Sequence, residues 1–243
     1  MRELIFPRII SHRGAHSLFP ENSLLSFQKS LELGCSWTET DLALTSDGQI
    51  IVFHDERTGR LTECDLSVPE SSLADLMMLS LKNKTRDRIP IPVFSELLEF
   101  VLETDMNFNL ELKLHPGQAE KEGEFAEIFL NGLPDEVSKF MISSFDIGIL
   151  RRIRKFRPEL RIALNYEEIP ENPETDLDIR PVSIHIPWQK FTPGILKYYS
   201  DKKIKINCFT VNDPEEAEKL WQAGVTSVFC DVPEKFPKKY LTA

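Results

Sequence analysis

From residue 94 onwards, strand-like apolar runs alternate with helix-like repeats, and this alternation limits the fold more than any other feature. Strands are expected at 107–114, 140–145, 161–166, 182–186, 204–211 and 225–230. Helices are expected at 94–102, 124–130, 147–156 and 193–199, and again from Asp213 until Gly224. That last helix opens with Asp213 as N-cap, Pro214 at the first position and Glu216 as a capping-box acid. Only residues 167–180, acidic and proline-containing, interrupt the rhythm, with at most a poor helix. Strands alternating with helices imply parallel βαβ units.

The first third adds two more strands. Residues 8–11 run into His12-Arg13-Gly14, and residues 37–45 carry Glu39 and Asp41. Between them Asn22 is the expected N-cap of a helix spaced by Leu24, Phe27 and Leu31 and ended by Gly34. Thr45-Ser46-Asp47-Gly48 is a turn signal, and the apolar run 50–53 that follows is read as a hairpin partner outside the main sheet. Residues 56–92 are polar and broken by Pro69, Pro90 and Pro92, with one short helical signal at 72–81. They read as an excursion without a core of its own. Eight strands then remain for the main sheet, which suggests a closed α/β barrel spanning 1–243, with the excursion at about 46–92. An open doubly wound sheet is the alternative, but no glycine fingerprint follows the first strand.

A length of 243 residues and a hydrophobic content of 41% suit one barrel-sized unit. The formal net charge of −10 argues against a general nucleic-acid or anionic-membrane surface, so a bound phosphate would need local cations. Cys35, Cys64, Cys208 and Cys230 are far apart and form no CxxC pair, so neither a disulfide framework nor a zinc site is indicated. The amino terminus has no apolar signal core, and no run approaches the ~18 apolar residues of a membrane span. A reducing cytoplasm is the expected compartment.

Catalytic groups of such barrels sit at the carboxyl ends of the strands. The polar residues there are His12, Arg13, Glu39, Asp41, Glu111, Lys113, Ser144, His185 and Asp231, and the hairpin would bring His54 and Asp55 over the mouth. Glu39 and Asp41 stand two apart on a strand and so share a face. Glu111 and Lys113 repeat that spacing. Converging buried carboxylates need a cation, and all-oxygen ligation favours magnesium, calcium or manganese. Two histidines suit a reaction that takes up one proton and gives back another. Arg13 and Lys113 carry charge suited to phosphate. Metal-assisted cleavage of a phosphate ester uses all of these parts.

Other residues have plainer readings. His16 and His115 read as loop residues, His115 at the surface. Glu21 and Asn22 cap a helix, although Glu21 is close enough to His12 to help orient it. His185 either lines the site or is a satisfied core histidine, and Trp188 either walls a pocket or covers the core. The basic helix face Arg151, Arg152, Arg154, Lys155 and Arg157 reads as solvated.

The ordered motifs resemble the glycerophosphodiester phosphodiesterase family. The resemblance rests on His12-Arg13-Gly14, Pro20-Glu21-Asn22-Ser23, Glu39-x-Asp41 and Thr45-x-Asp47-Gly48 through His54-Asp55. It continues with Leu110-Glu111-Leu112-Lys113, Ser143-Ser144-Phe145, Phe209-Thr210-Val211-Asn212 and Cys230-Asp231-x-Pro233. It implies a TIM barrel with a small excursion after the second strand. It further implies His12 and His54 as an acid/base pair, Glu39, Asp41 and Glu111 as ligands of one divalent cation (Mg2+ or Ca2+, with Mn2+ as a third option), and Arg13 and Lys113 on the phosphate. The implied reaction splits small glycerophosphodiesters into glycerol 3-phosphate and an alcohol. Ser23 stands where threonine is usual, Phe209 where tryptophan is common, and Arg57-Thr58-Gly59 only echoes the usual run after the hairpin. Two rival readings stay open: a phosphodiesterase that forms a cyclic phosphate or acts on lysophospholipids, and an inactive barrel that binds a phosphorylated metabolite. Oligomeric state and head group have no sequence signal.

Overall fold

The computed structural model describes residues 5–84 and 87–243. Residues 1–4, part of the amino terminus read as lacking a leader, and residues 85–86 of the excursion lie outside the described residues. Among the described residues, eight parallel strands close into a barrel. They are β1 (Ile9–Ser11), β2 (Trp37–Leu44), β4 (Asn107–Lys113), β5 (Phe140–Ser144), β6 (Arg161–Asn165), β7 (Ser183–Pro187), β8 (Lys205–Phe209) and β9 (Ser227–Cys230). Closure comes from β1, which pairs with β9 through Ile9–Ser11 on one side and with β2 through Ser11 and Thr38 on the other. The remaining strand, β3 (Ile50–Val52), pairs antiparallel with the far end of β2 and stays outside the barrel, as the turn signal implies.

The helices fill the crossovers: α1 (Leu24–Leu33), α3 (Phe94–Glu103), α4 (Glu122–Gly132), α5 (Ile147–Phe156), α6 (Pro193–Ser200) and α7 (Pro214–Gln222). A one-turn helix, α2 (Leu73–Leu76), lies in the excursion, shorter than the expected 72–81, with Ser72 and Asp75 as its capping box. Between β6 and β7 a 3-10 run, Pro173–Ile179, takes the place of a helix. Charge and Pro173 leave that segment without an apolar face long enough for α-helix. The N-cap of α1 is Ser23, not Asn22: the Ser23 hydroxyl accepts from the Ser26 amide. Asn22 instead takes a left-handed conformation (φ 56°), which asparagine tolerates better than most residues, and turns its side chain to the barrel.

Strand alternation divides the core. Outward residues such as Leu42, Leu110, Ile142, Ile162 and Ile184 pack under the helices with Phe27, Phe108 and Phe129. Inside, Ile10, Trp37, Met141, Ala163 and Phe229 form an apolar plug. Beyond the plug the inward positions become polar. The register pairs Glu39 with Asn109 and Asp41 with Glu111, so neighbouring strands place their acids side by side.

The excursion differs from expectation: it does have a small core of its own. Ala43, Ile51 and Phe53 pack with Val68, Leu76, Leu79, Leu81, Ile89 and Ile91, apart from the barrel core. This happens because β2 and β3 run past the barrel and offer a second apolar face. Each fully buried side chain of this kind contributes roughly 1.5–3 kcal/mol, enough to fix the hairpin whose end carries His54.

Candidate active site

The site begins where β1 ends. The His12 amide donates to the Cys230 carbonyl (2.9 Å), and Arg13 (φ 53°) and Gly14 (φ 81°) then turn the chain sharply. A Cβ at Gly14 would lie 2.3 Å from Ser26 Oγ, so only glycine fits this turn. His12 Nδ1 lies 2.6 Å from Asp231 Oδ1. Asn212 holds that carboxylate in place, donating to Asp231 Oδ2 (2.7 Å) and accepting from the Asp231 amide (2.8 Å). His16 also approaches Asp231, at 2.8 Å. The other ring nitrogen of His12 lies 3.8 Å from Glu39 Oε2. Burial lowers the His12 pKa despite the hydrogen bond to Asp231.

Three carboxylates meet beside it. Ligand oxygens of Glu39, Asp41 and Glu111 all lie within 4.8 Å of one another. Glu39 and Asp41 are 2% and 1% exposed. Burial, followed by the charges of Asp41 and Glu111, pushes the Glu39 carboxyl well up. Burial raises Glu111 too. Burial would also raise Asp41, but Arg13 Nε (3.2 Å), Lys113 Nζ (3.6 Å) and the Asn22 amide (2.9 Å) hold it well below the usual range. Two acids held towards the neutral form beside an ionised one mark a site short of positive charge. An oxygen-coordinated divalent cation fits that deficit.

The hairpin delivers His54 to the same cavity, where its Nδ1 lies 2.7 Å from Asp55 Oδ1. Burial lowers its pKa as well. Arg60, which sequence reasoning missed, locks this arm down. It donates to both Asp55 oxygens (2.6 and 3.0 Å) and to both Glu21 oxygens (2.7 Å each). Glu21 accepts in turn from Arg13 (2.9 Å). The chain Arg13–Glu21–Arg60–Asp55–His54 therefore ties the β1 turn to the excursion. Arg57, the more conspicuous arginine in sequence, pairs with Asp65 at the surface instead. The only signal for Arg60 was a cation six residues beyond His54 in a polar stretch.

Two other expectations change. His115 is buried, not a surface residue, because Gln118 accepts from its amide and donates to the Leu44 carbonyl, folding the loop over the end of β2. Burial pushes its pKa down to about 4. Ser144 does not face the cavity: its hydroxyl donates to the Leu112 carbonyl (2.6 Å). Asn109 and Asn165 point inward there instead, and Asn165 donates to Glu111 Oε2 (2.9 Å). His185 lies between its two readings. It lines the cavity, yet it is 1% exposed, its ring 4.8 Å from Phe229, and burial pushes its pKa down to about 3. Trp188 packs against the barrel core. On the basic face of α5, Arg151 and Arg152 pair with Asp178 and Glu122, and Arg154 binds backbone carbonyls.

The cavity encloses about 530 Å³ of empty space including its open mouth. Its remaining wall consists of Phe145, Glu167, Phe209, Thr210 and Phe229. One side thus offers carboxylates, cations and two histidines with one nitrogen each fixed by an acid. Such a constellation can bind a phosphate through cations and move protons next to it.

The sequence pattern of the glycerophosphoryl diester phosphodiesterase family matches residues 12–235. A glycerophosphodiester phosphodiesterase of Caldanaerobacter subterraneus subsp. tengcongensis is 30% identical over 240 residues, covering 93% of this chain and 94% of the relative. Among solved structures, an Oleispira antarctica phosphodiesterase in complex with the product sn-glycerol-3-phosphate aligns with a TM-score of 0.85 at 29% identity, covering 94% of both chains. A glycerophosphodiester phosphodiesterase of Thermotoga maritima aligns with a TM-score of 0.76 at 26% identity, covering 96% of this chain and 98% of the other. With most of its length accounted for in this way, the chain belongs to the glycerophosphoryl diester phosphodiesterase family.

Proposed function

We propose that the protein hydrolyses glycerophosphodiesters to sn-glycerol 3-phosphate and an alcohol. The observation that carries this reading is the meeting of two carboxylate-held histidines with the Glu39–Asp41–Glu111 cluster in one cavity. Glu39, Asp41 and Glu111 would hold one divalent cation, magnesium or calcium, with manganese also compatible with oxygen donors. When bound, that cation neutralises charge on the phosphoryl oxygens. Arg13 and Lys113 bring further positive charge to the same place, both kept protonated by the acids around them.

The histidines handle the protons. With Nδ1–H donated to Asp231, His12 presents the lone pair of its other nitrogen to the cavity, and Asp55 imposes the same tautomer on His54. One imidazole takes a proton from the attacking water, and the other, as imidazolium, returns one to the departing alkoxide. The P–O bond to the alcohol breaks as the P–O bond to water forms. Burial lowers the pKa of both rings, which favours the neutral imidazole that the base requires, while the hydrogen bonds to Asp231 and Asp55 favour the imidazolium that the acid requires. Free cysteines throughout support the cytoplasm as the compartment, and among the described residues no helix is long and apolar enough to cross a membrane.

The test couples the purified protein to glycerol-3-phosphate dehydrogenase. NADH should appear with glycerophosphocholine or glycerophosphoethanolamine once magnesium, calcium or manganese is supplied. Silence across a panel of such diesters with each cation would overturn the reading. Phosphorus NMR of the products distinguishes a monoester from a cyclic phosphate.

A further inference from the structure

His16 takes no part in the proposed hydrolysis, yet it crowds the side of His12 that faces away from the acid cluster. The two imidazoles stand edge to face, with centroids 6.1 Å apart. Nδ1 of His12 and Nε2 of His16 approach the same oxygen, Oδ1 of Asp231, at 2.6 and 2.8 Å. Ligand atoms of the three side chains all lie within 4.8 Å of one another. The His16 contact is not a hydrogen bond. Its Nε2 is sealed from water and, among the described residues, has no hydrogen-bond partner, because the ring does not aim that nitrogen at the carboxylate. A buried nitrogen beside an oxygen to which it does not bond is an unsatisfied group, and such groups are rare because they are costly. An ion held by both atoms satisfies both.

The donor set says which ion. Two imidazole nitrogens and one carboxylate oxygen differ from the all-oxygen set of Glu39, Asp41 and Glu111. Imidazole donors favour zinc and neighbouring transition metals over magnesium or calcium, and three protein ligands with a fourth position open is a frequent zinc arrangement. Zinc bonds of about 2.0–2.1 Å place tetrahedral ligand atoms roughly 3.3 Å apart, so Asp231 has only to draw back by a fraction of an ångström. The side chains of His12, His16 and Asp231 are 17%, 24% and 24% exposed, which leaves an ion a way in from solvent.

Building on the diesterase reading, we propose that His12, His16 and Asp231 form a zinc-binding site that inhibits the enzyme. Zinc takes the Nδ1 lone pair of His12 and displaces the proton that this nitrogen otherwise donates to Asp231. The one proton left on the neutral ring then sits on Nε2, the nitrogen 3.8 Å from Glu39. With that lone pair gone, His12 cannot accept a proton from water. As an acid it fares no better, since giving up its last proton leaves an imidazolate where an imidazolium leaves a neutral ring.

Binding and kinetics test this separately. Calorimetry with saturating magnesium should resolve a zinc site in the parent. His16→Ala and the ring-preserving His16→Phe should each weaken it at least tenfold, the cost of losing even a supporting group at a metal site. Cobalt(II) added to the magnesium-saturated parent should give the intense visible bands of a four-coordinate nitrogen–oxygen site, whereas an octahedral all-oxygen site stays pale. Zinc should also inhibit release of glycerol 3-phosphate from glycerophosphocholine in a way that excess magnesium does not relieve. The zinc concentration for half-inhibition should rise about tenfold in both variants. A pale cobalt spectrum, or zinc affinity unchanged in both variants, overturns the site. Inhibition that magnesium relieves, or that both variants keep, assigns the effect to Glu39, Asp41 and Glu111 and overturns the inhibitory role. A parent that releases no glycerol 3-phosphate even without zinc sinks the hydrolase reading instead, while calorimetry and the cobalt spectrum still decide the zinc site.

Discussion

From β1 through β2 to β4, each charged side chain at the barrel mouth touches another charge. From β5 to β8 the mouth carries two phenylalanines and an acid that, among the described residues, has no partner. The difference follows from burial. Asp41 and Glu39 lie almost wholly out of water, where an ion needs a fixed partner, whereas Glu167 remains hydrated and needs none. The first arc is therefore preorganised and unforgiving of change. The second is free to meet a ligand, and substitutions there should alter preference more than rate.

The largest effect should come from breaking the charged arc at its centre. Arg13 contacts Glu21 and Asp41 and lines the cavity in which the phosphate is proposed to bind. Arg13→Ala should lower kcat by about 10²–10³, as does removal of other preorganised electrostatic groups. Arg13→Lys should recover little, because a point charge cannot serve both acids as the guanidinium does. Steady-state kinetics check this, and a loss under tenfold would mean that the arc tolerates change after all.

A smaller loss is expected one step back. Arg60 touches neither carboxylate cluster nor cavity, but it grips Asp55 and Glu21 together. Arg60→Ala should reduce kcat by roughly 10–100-fold, the usual cost of removing a group that orients a functional side chain. Wild-type turnover in that variant would mean that Asp55 holds His54 without help.

The smallest effect on rate, and a distinct effect on stability, is expected for His185 on the second arc. Its folded pKa of about 3 lies below the ordinary 6.5, so between those values the unfolded chain takes up a proton that the native chain refuses. Its contribution to stability is thus intact above pH 6.5 and is lost progressively as pH falls towards 3. Urea titrations between pH 6 and pH 4 should show the parent losing about 1.4 kcal/mol per pH unit more than His185→Gln does. Parallel curves would mean that His185 charges freely in the native state.

Most of the first arc was legible in the sequence, for a local reason. Glu39 and Asp41, or Glu111 and Lys113, share a face through the two-residue period of a strand, and strand ends are where such barrels carry chemistry. Ile147–Phe156 could likewise be read to the residue, from helical periodicity that Asp146 caps. What escaped depends on parts of the chain that meet only after folding. Arg60 has a role only because an excursion with its own apolar cluster bends back over the β1 turn. Asn22 reads as a cap until the barrel closes and Asp41 comes within 2.9 Å of its amide. His115 reads as a surface residue because nothing near it in sequence announces that Gln118 will fold the loop onto β2.

The division of labour within the charged arc is the account's central claim, and one paired measurement on His54 tests it most directly. His54→Asn should be assayed for turnover of glycerophosphocholine at saturating magnesium, and for magnesium affinity by calorimetry. The expected result is a fall in kcat of about 10²–10⁴, typical of a lost general acid or base, with the affinity for magnesium within a few-fold of the parent. Normal turnover at saturating magnesium together with a large loss of magnesium affinity would contradict it, making the hairpin a ligand arm and not a proton-transfer arm.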